Sequence, residues 1–159
     1  LASMAGVTNG MKTRTVGSKT IDIEGAVGGN ESFSSNVDAV VDWFGPVDMA
    51  RMNNCEKVND ANSPEAALIG GAPADNADMV ALISPITYVK EEGPRFLVLH
   101  GDADNVVPHC QGVYFSEELK KANRLEEFIS VPEGQHGPVT FNEDTFKKMT
   151  DFFKKEAAK

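Results

Sequence analysis

The sequence predicts an α/β fold of three layers, a parallel sheet sandwiched between helices, and three observations carry that expectation. Residues 37–44, 95–101 and 125–131 are short runs of strand length, and the first two are apolar enough to be buried on both faces. Segments with apolar residues at helical spacing stand between and after them. The second run stops abruptly in Gly101-Asp102-Ala103-Asp104, and Pro108 then opens what reads as the next helix. The resulting order of helix, strand, helix, strand, helix, strand, helix argues a parallel sheet with helices on its faces.

Residues 1–10 read as the end of an Ala-rich helix, with Leu1, Met4, Ala5 and Thr8 on one face and Asn9-Gly10 as a stop signal. Residues 11–36 are polar and glycine-rich, with little periodicity beyond Thr20-Ile21-Asp22-Ile23-Glu24, and are expected to form a long surface connection with weak structure. Within it, Gly25-Ala26-Val27-Gly28-Gly29-Asn30 lacks the Lys-Ser/Thr ending of a phosphate loop, and no strand leads into it. The first strand, 37–44, is bounded by Gly45-Pro46. From 47 to 90 the chain has the makings of an inserted, cap-like segment over one end of the sheet. It includes one helical turn near Met49 and a short helix with Ser63 as N-cap, Pro64 in its first turn and Gly70-Gly71 as its stop. A second short helix spans 78–83 before Ser84-Pro85. Phe115, Leu119 and Ala122 mark an amphipathic helix, with Glu117, Glu118, Lys120 and Lys121 on its wet face. A last helix, capped by Asn142, carries a broad apolar stripe of Phe146, Met149, Phe152 and Phe153, and Lys154 and Lys155 suit the negative end of its dipole.

With 159 residues and a net charge of −9, the chain is one domain long and acidic. No Lys/Arg cluster is interleaved with aromatics, which excludes a phosphate-tracking surface and hence nucleic acid as a partner. No apolar run approaches the roughly 20 residues that span a bilayer, so no membrane partner is expected. Three histidines without clustered carboxylates or cysteines predict no metal site, and no cofactor is implied.

Two strands end in turns that bear ionisable groups, Asp104 after one and His136 after the next. If those strands are parallel neighbours, both side chains emerge on the same rim of the sheet. A carboxylate that accepts a hydrogen bond from one imidazole nitrogen fixes the tautomer and leaves the other nitrogen as a general base toward a hydroxyl or thiol. That is two thirds of a nucleophilic triad.

These residues carry a resemblance. His100-Gly101-x-x-Asp104-x-x-Val107-Pro108 is similar to the acid motif of the α/β-hydrolases, and Gly134-x-His136-Gly137, about thirty residues later, to their histidine motif. Val40-Val41-Asp42-Trp43-Phe44-Gly45-Pro46, Ser84-Pro85-Ile86-Thr87-Tyr88-Val89 and Leu1-Ala2-Ser3-Met4-Ala5-Gly6 further resemble bacterial esterases of the feruloyl or acetyl-xylan type. The resemblance implies a partial α/β-hydrolase fold, a serine carboxylic ester hydrolase, Asp104 and His136 as its acid and histidine, and a small-molecule or carbohydrate-linked ester as substrate. Prolyl-oligopeptidase-type peptidases share both turns, and a binding module that has kept the fold without the chemistry is the rival from another class.

The departure from the pattern is that no Gly-x-Ser-x-Gly nucleophile elbow occurs. In the family the helix after the elbow resembles residues 1–6, so the resemblance implies that residues 1–159 are the C-terminal portion of one hydrolase domain whose nucleophile-bearing half lies upstream. The 37–44 strand is then expected to leave one edge unpaired, and the chain alone to be inactive. The compartment stays open between the bacterial cytoplasm and secretion.

Beside these stand plainer assignments. Asp102 is the rival acid, expected to hydrogen-bond the turn. His100 is expected to be structural, and His109 to lie at the surface or a helix start. Ser3, Ser34 and Ser35 are the serines that tempt as substitute nucleophiles, yet Ser3 reads as helical and the other two as capping residues. Trp43 and Val107 should lie near the rim, either lining a substrate pocket or serving as core. Cys55 and Cys110 match no metal or redox spacing; they read as two free thiols, or, since each follows one of two adjacent strands, as a disulfide tying the inserted segment down.

Overall fold

A computed structural model describes residues 1–57 and 60–159; Val58 and Asn59, inside the segment read as cap-like, lie outside the described residues. The sheet has three strands, β3 (Ala39–Trp43), β4 (Arg95–Gly101) and β5 (Leu125–Val131), in the order β3-β4-β5. Both pairings are parallel, with Val41 opposite Leu97 and Leu97 opposite Glu127. The expected neighbours are therefore neighbours, and the parallel sheet with helices on both faces is the three-layer α/β arrangement expected.

Alternation along the strands divides the core into two layers. On one face Val40, Phe96 and Val98 pack with Val7 of α1 (Ala2–Val7) and with Phe115 and Leu119 of α4 (Cys110–Lys121). On the other, Leu97 and Leu99 pack with Phe152 of α5 (Glu143–Ala157), flanked by Ala39, Val41, Ile129 and Met149. Of the stripe expected on α5, Phe152 and Met149 face the sheet, while Phe146 and Phe153 are 45% and 42% exposed. Its N-terminus closes in a capping box: Asn142 Oδ1 accepts from the Thr145 N–H, and Thr145 Oγ1 from the Asn142 N–H.

Two expectations need correction. The buried residues of α1 are Ser3, Gly6 and Val7, whereas Leu1 is fully exposed. A Cβ on Gly6 would stand 2.5 Å from Val40 Cγ2, so the helix backbone lies directly on the sheet there, with Val7 buried beside it; of the expected face, Thr8 is buried and Met4 packs at the edge of the core. Residues 11–36, read as unstructured, contain an antiparallel hairpin of β1 (Thr13–Val16) and β2 (Lys19–Asp22) joined by Gly17-Ser18. Gly17 has φ +55 in the first loop position, which two-residue hairpins favour. The hairpin buries few side chains, hence its faint periodicity; it docks through Arg14, which bonds Thr87 Oγ1 and the Thr87 carbonyl and lies over the Tyr88 ring at 3.7 Å.

Residues 47–90 form the crossover from β3 to β4. It contains α2 (Pro64–Ile69), capped by Ser63 as expected, and α3 (Ala77–Ile83), while the segment near Met49 is a turn and not a helix. Buried Gln111 fastens the start of this crossover: its Oε1 accepts from the Val47 and Asp48 N–H groups, and its Nε2 donates to the Arg51 carbonyl. Of the two cysteine readings the structure takes the disulfide, Cys55 to Cys110, with Cα atoms 6.0 Å apart. Disulfides typically stabilise by about 2–4 kcal/mol, and a loop of this length lies at the upper end of that range. Thiol titration of the native oxidised chain should therefore find no free thiol, and the Cys55→Ser/Cys110→Ser double variant should lose about that much in urea unfolding; two titratable thiols in the native chain would contradict the bond.

Candidate active site

The carboxyl ends of β4 and β5 lead into two turns that are pressed together backbone to backbone. The Asp102 N–H donates to the Val131 carbonyl at 3.0 Å and the Ala103 N–H to the Gly134 carbonyl at 2.9 Å. Glycines make this approach feasible: a Cβ on Gly101 would sit 2.2 Å from the Gly134 carbonyl oxygen and 2.7 Å from Thr140 Oγ1. Asp102 adds a staple by accepting from the Glu133 N–H at 2.7 Å, so the rival acid is committed to the turn, as expected. Thr140, fully buried, holds the far side by donating to the Gln135 carbonyl, while its own carbonyl accepts from Thr145 Oγ1 at the start of α5.

This clamp brings Asp104 and His136 together, His136 Nδ1 lying 2.9 Å from Asp104 Oδ2. The Asp104 side chain is wholly shielded from solvent, whereas that of His136 is 32% exposed. Oδ1 of Asp104 accepts from the Val106 and Val107 N–H groups at 2.8 and 2.9 Å. Burial by itself would raise the Asp104 pKa, but those two amides, with the hydrogen bond and charge of His136, outweigh it and hold the carboxyl below its ordinary value of 3.8. An ionised carboxylate only accepts, so Nδ1 of His136 donates this bond, and in the neutral ring the lone pair is then on Nε2.

His100 is the structural residue expected. It is fully buried, and its Nε2 lies 2.9 Å from the Val107 carbonyl, which can only accept. Desolvation drives its pKa down, more than the Val107 bond and the Asp104 charge restore. His109 precedes α4, with Nε2 2.9 Å from Ser130 Oγ. Val107 is buried, and its backbone clamps both Asp104 and His100; Val106 beside it is the exposed one. Trp43 is half-buried against Phe141 and Phe146, at ring distances of 4.8 and 5.6 Å. Among the serines singled out, Ser3 Oγ donates to buried Asp42, Ser35 Oγ to Glu24, and Ser34 Oγ accepts from the Asn36 N–H; these bonds do not involve His136. Among the described residues no cluster of His, Cys, Asp and Glu could hold a metal.

One neighbour of the pair was not foreseen. The ring of Phe44 lies 4.3 Å from the His136 imidazole, centroid to centroid. Its position at the end of β3, on the same rim as both turns, was the available signal.

The parallel sheet with helices on both faces is an α/β-hydrolase-like fold, similar to that of an esterase from Thermogutta terrifontis at 21% identity and a TM-score of 0.60, over 85% of this chain and 46% of the other, and similarity to further proteins fixes the family. Residues 1–119 match the family BD-FAE, and the chain belongs to it. The chain is 32% identical over 111 residues to Esterase LipQ of Mycobacterium tuberculosis, an alignment that covers 68% of this chain and 26% of the relative. Among solved structures it is similar to the bifunctional GH43-CE of Bacteroides eggerthii, with 66% identity, a TM-score of 0.95, and coverage of 98% of this chain and 20% of the other. It is also similar to a truncated form of a carbohydrate esterase from gut microbiota, with 55% identity, a TM-score of 0.95, and coverage of 99% and 55%. The chain thus spans about a quarter of the length of the curated relative and a fifth to about half of the solved ones.

Two outcomes follow from the clamp. Gly101→Ala should cost about 1–3 kcal/mol in chemical unfolding, because the Cβ meets backbone that cannot turn aside, and should weaken the Nδ1–H···Oδ2 bond; an unchanged stability would remove the close approach from the account. Because the Asp104 pKa is depressed in the folded state, its stabilisation is complete above the ordinary carboxyl value and is lost as pH falls through the folded one. Urea unfolding against pH should show a steeper acid loss for the wild type than for Asp104→Asn; parallel curves would contradict the depressed pKa.

Proposed function

We propose that this chain supplies the acid and the histidine of a serine carboxylic ester hydrolase acting through an acyl-enzyme, with the nucleophile serine contributed by a segment outside these 159 residues. The observation that carries the reading is the 2.9 Å bond from His136 Nδ1 to a shielded, ionised Asp104, with Nε2 left free on a partly exposed ring. In this reading Nε2 takes the proton as the serine oxygen attacks the ester carbonyl, and Asp104 stabilises the imidazolium without accepting that proton. The tetrahedral species collapses as Nε2 returns the proton to the leaving alcohol, and Nε2 then activates the water that releases the carboxylic acid. Residues 1–159 are read as the later portion of one hydrolase domain, with 47–90 as its cap-like insertion. The short coverage of the relatives supports a longer whole, and their descriptions as esterase and carbohydrate esterase support an ester, small or carbohydrate-linked, as substrate.

The test is made in the longer protein that bears the Gly-x-Ser-x-Gly segment, with short acyl esters and peptide amides assayed side by side. Ester turnover is expected, and His136→Ala and Asp104→Asn should each lower it by about 10³-fold or more. The 159-residue chain by itself should give none. Near-normal activity of either variant, preference for the amide, or clear turnover by the chain alone would each overturn the proposal.

A further inference from the structure

We propose that Phe44 is a positioning residue for His136, forming the wall that holds the imidazole in line with Asp104, and that buried Asp42 sets that wall in place. This rests on the role read for His136 above and adds to it a residue from a third strand.

The backbone of Phe44 has φ +42, the left-handed region that a bulky side chain rarely occupies. Three contacts impose it. The Phe44 N–H donates to the Leu99 carbonyl at 2.8 Å, continuing the sheet ladder one residue past β3. The next N–H, of Gly45, donates to Asp42 Oδ1 at 2.8 Å. Asp42 Oδ2 in turn accepts from Ser3 Oγ of α1 at 2.5 Å. Asp42 is 3% exposed, so this turn is built around a carboxylate taken out of water, with donors from two elements.

The conformation aims the ring along the rim and onto the histidine. Phe44 and His136 centroids are 4.3 Å apart with planes at 51°, and Phe141 closes the other side of Phe44 at 5.2 Å. His136 needs such a wall. It sits on a loop and is held to Asp104 through one hydrogen bond, which by itself does not fix the plane of the ring. A second contact, on the ring face, removes that freedom and fixes where Nε2 points. The tilted arrangement also places the aromatic quadrupole against a ring that becomes cationic in the proposed cycle. Backbone strain kept at such a place is accounted for if the ring must stand there.

The experiment is imidazole NMR, with labelled histidine, of the longer protein that bears the nucleophile segment; it needs no turnover, and His136 is assigned by the signals lost in His136→Ala. In the wild type, His136 should give a single Nδ1-protonated tautomer with a downfield, slowly exchanging Nδ1–H and a ring-current shift from Phe44. Phe44→Tyr, which keeps the ring, should retain all three. Phe44→Leu should lose the ring-current shift, average the tautomers and speed Nδ1–H exchange by about tenfold or more, a loss equal to roughly 1.4 kcal/mol of restraint. Phe44→Gly, which relieves the positive φ, should behave as Phe44→Leu does. The His100 signals, from a ring buried under α4, report an intact fold in each variant. Asp42→Asn, which keeps an acceptor for Gly45, should resemble the wild type, and Asp42→Ala should resemble Phe44→Leu. A Leu or Gly variant with an ordered, Nδ1-protonated His136 overturns the proposal, as does a Tyr variant as disturbed as Leu. If the wild type itself lacks the Nδ1–H bonded to Asp104, the function read for the pair fails first. In the nucleophile-bearing protein, Phe44→Leu should lower kcat about tenfold with KM little changed; a change confined to KM would make Phe44 a substrate contact and overturn the positioning role.

Discussion

The contact between the backbones of Gly101 and Gly134 is the constraint on which the rest of the rim depends. Two parallel strands deliver their following turns to the same edge of the sheet, but strand spacing alone does not bring side chains of those turns within 3 Å of each other. Here the turns are bonded main chain to main chain, with a Cβ on either glycine forbidden by atoms of the other turn or of Thr140. Asp104 and His136 stand three and two residues beyond those glycines, so the separation of their polar atoms follows from a backbone contact and not from side-chain reach. The glycines of His100-Gly101-x-x-Asp104 and Gly134-x-His136 thus have a mechanical meaning: each motif is half of one joint.

The sheet is held at both ends by polar side chains that reach distant parts of the chain, Arg124 at the amino ends of β4 and β5 and Gln111 on the rim that carries the joint. Arg124, 2% exposed, donates to the carbonyls of Gly6, Lys90 and Pro94, and so fixes the end of α1 and the approach to β4 to the start of β5. Gln111 does the same for the exit from β3. Each satisfies carbonyls or amides that the loops would otherwise bury unpaired, which is why a long, polar side chain occupies a core position. The outer edge of β3 has no strand partner among the described residues, and Trp43, Phe141 and Phe146 gather beside it, the latter two 40% and 45% exposed.

What was legible in the sequence was local. The run at 125–131 stops where β5 stops, Ser63 and Asn142 cap the helices they precede, and the order of strands follows from alternation, because each of these is decided within a few residues by periodicity or capping chemistry. The Asp–His pairing was legible because parallel connection sends successive turns to one rim. The hairpin at 13–22 was not, since its strands bury no side chain fully and the alternation at Thr20-Ile21-Asp22-Ile23-Glu24 marks only one of the two. The roles of Arg124, Gln111 and Thr140 were hidden because their partners are carbonyls and amides, which every sequence has everywhere. Phe44 was passed over as the end of an apolar run; its importance lies in a backbone angle imposed by Asp42, and nothing in the run itself announces it.

Two carboxylates at this rim are pushed in opposite directions by the balance of burial against hydrogen-bond donors. Burial raises the pKa of both Asp42 and Asp104. Asp42 receives one hydroxyl and one amide, Ser3 and Gly45, and desolvation prevails, leaving its pKa above the ordinary value. Asp104 receives two amides and the hydrogen bond and charge of His136, and the balance reverses. His100 lies near both; its own desolvation favours the neutral ring, so it adds a hydrogen bond to Val107 in preference to a charge. The environments push apart two groups of the same chemistry: the carboxylate that faces the exposed imidazole holds its negative charge most firmly, and the one that shapes the Phe44 turn holds it least. An arrangement with the opposite balance would put the dependable charge beneath the turn and leave His136 without one, so the backbone N–H groups of Val106 and Val107 are part of what keeps the charge at Asp104.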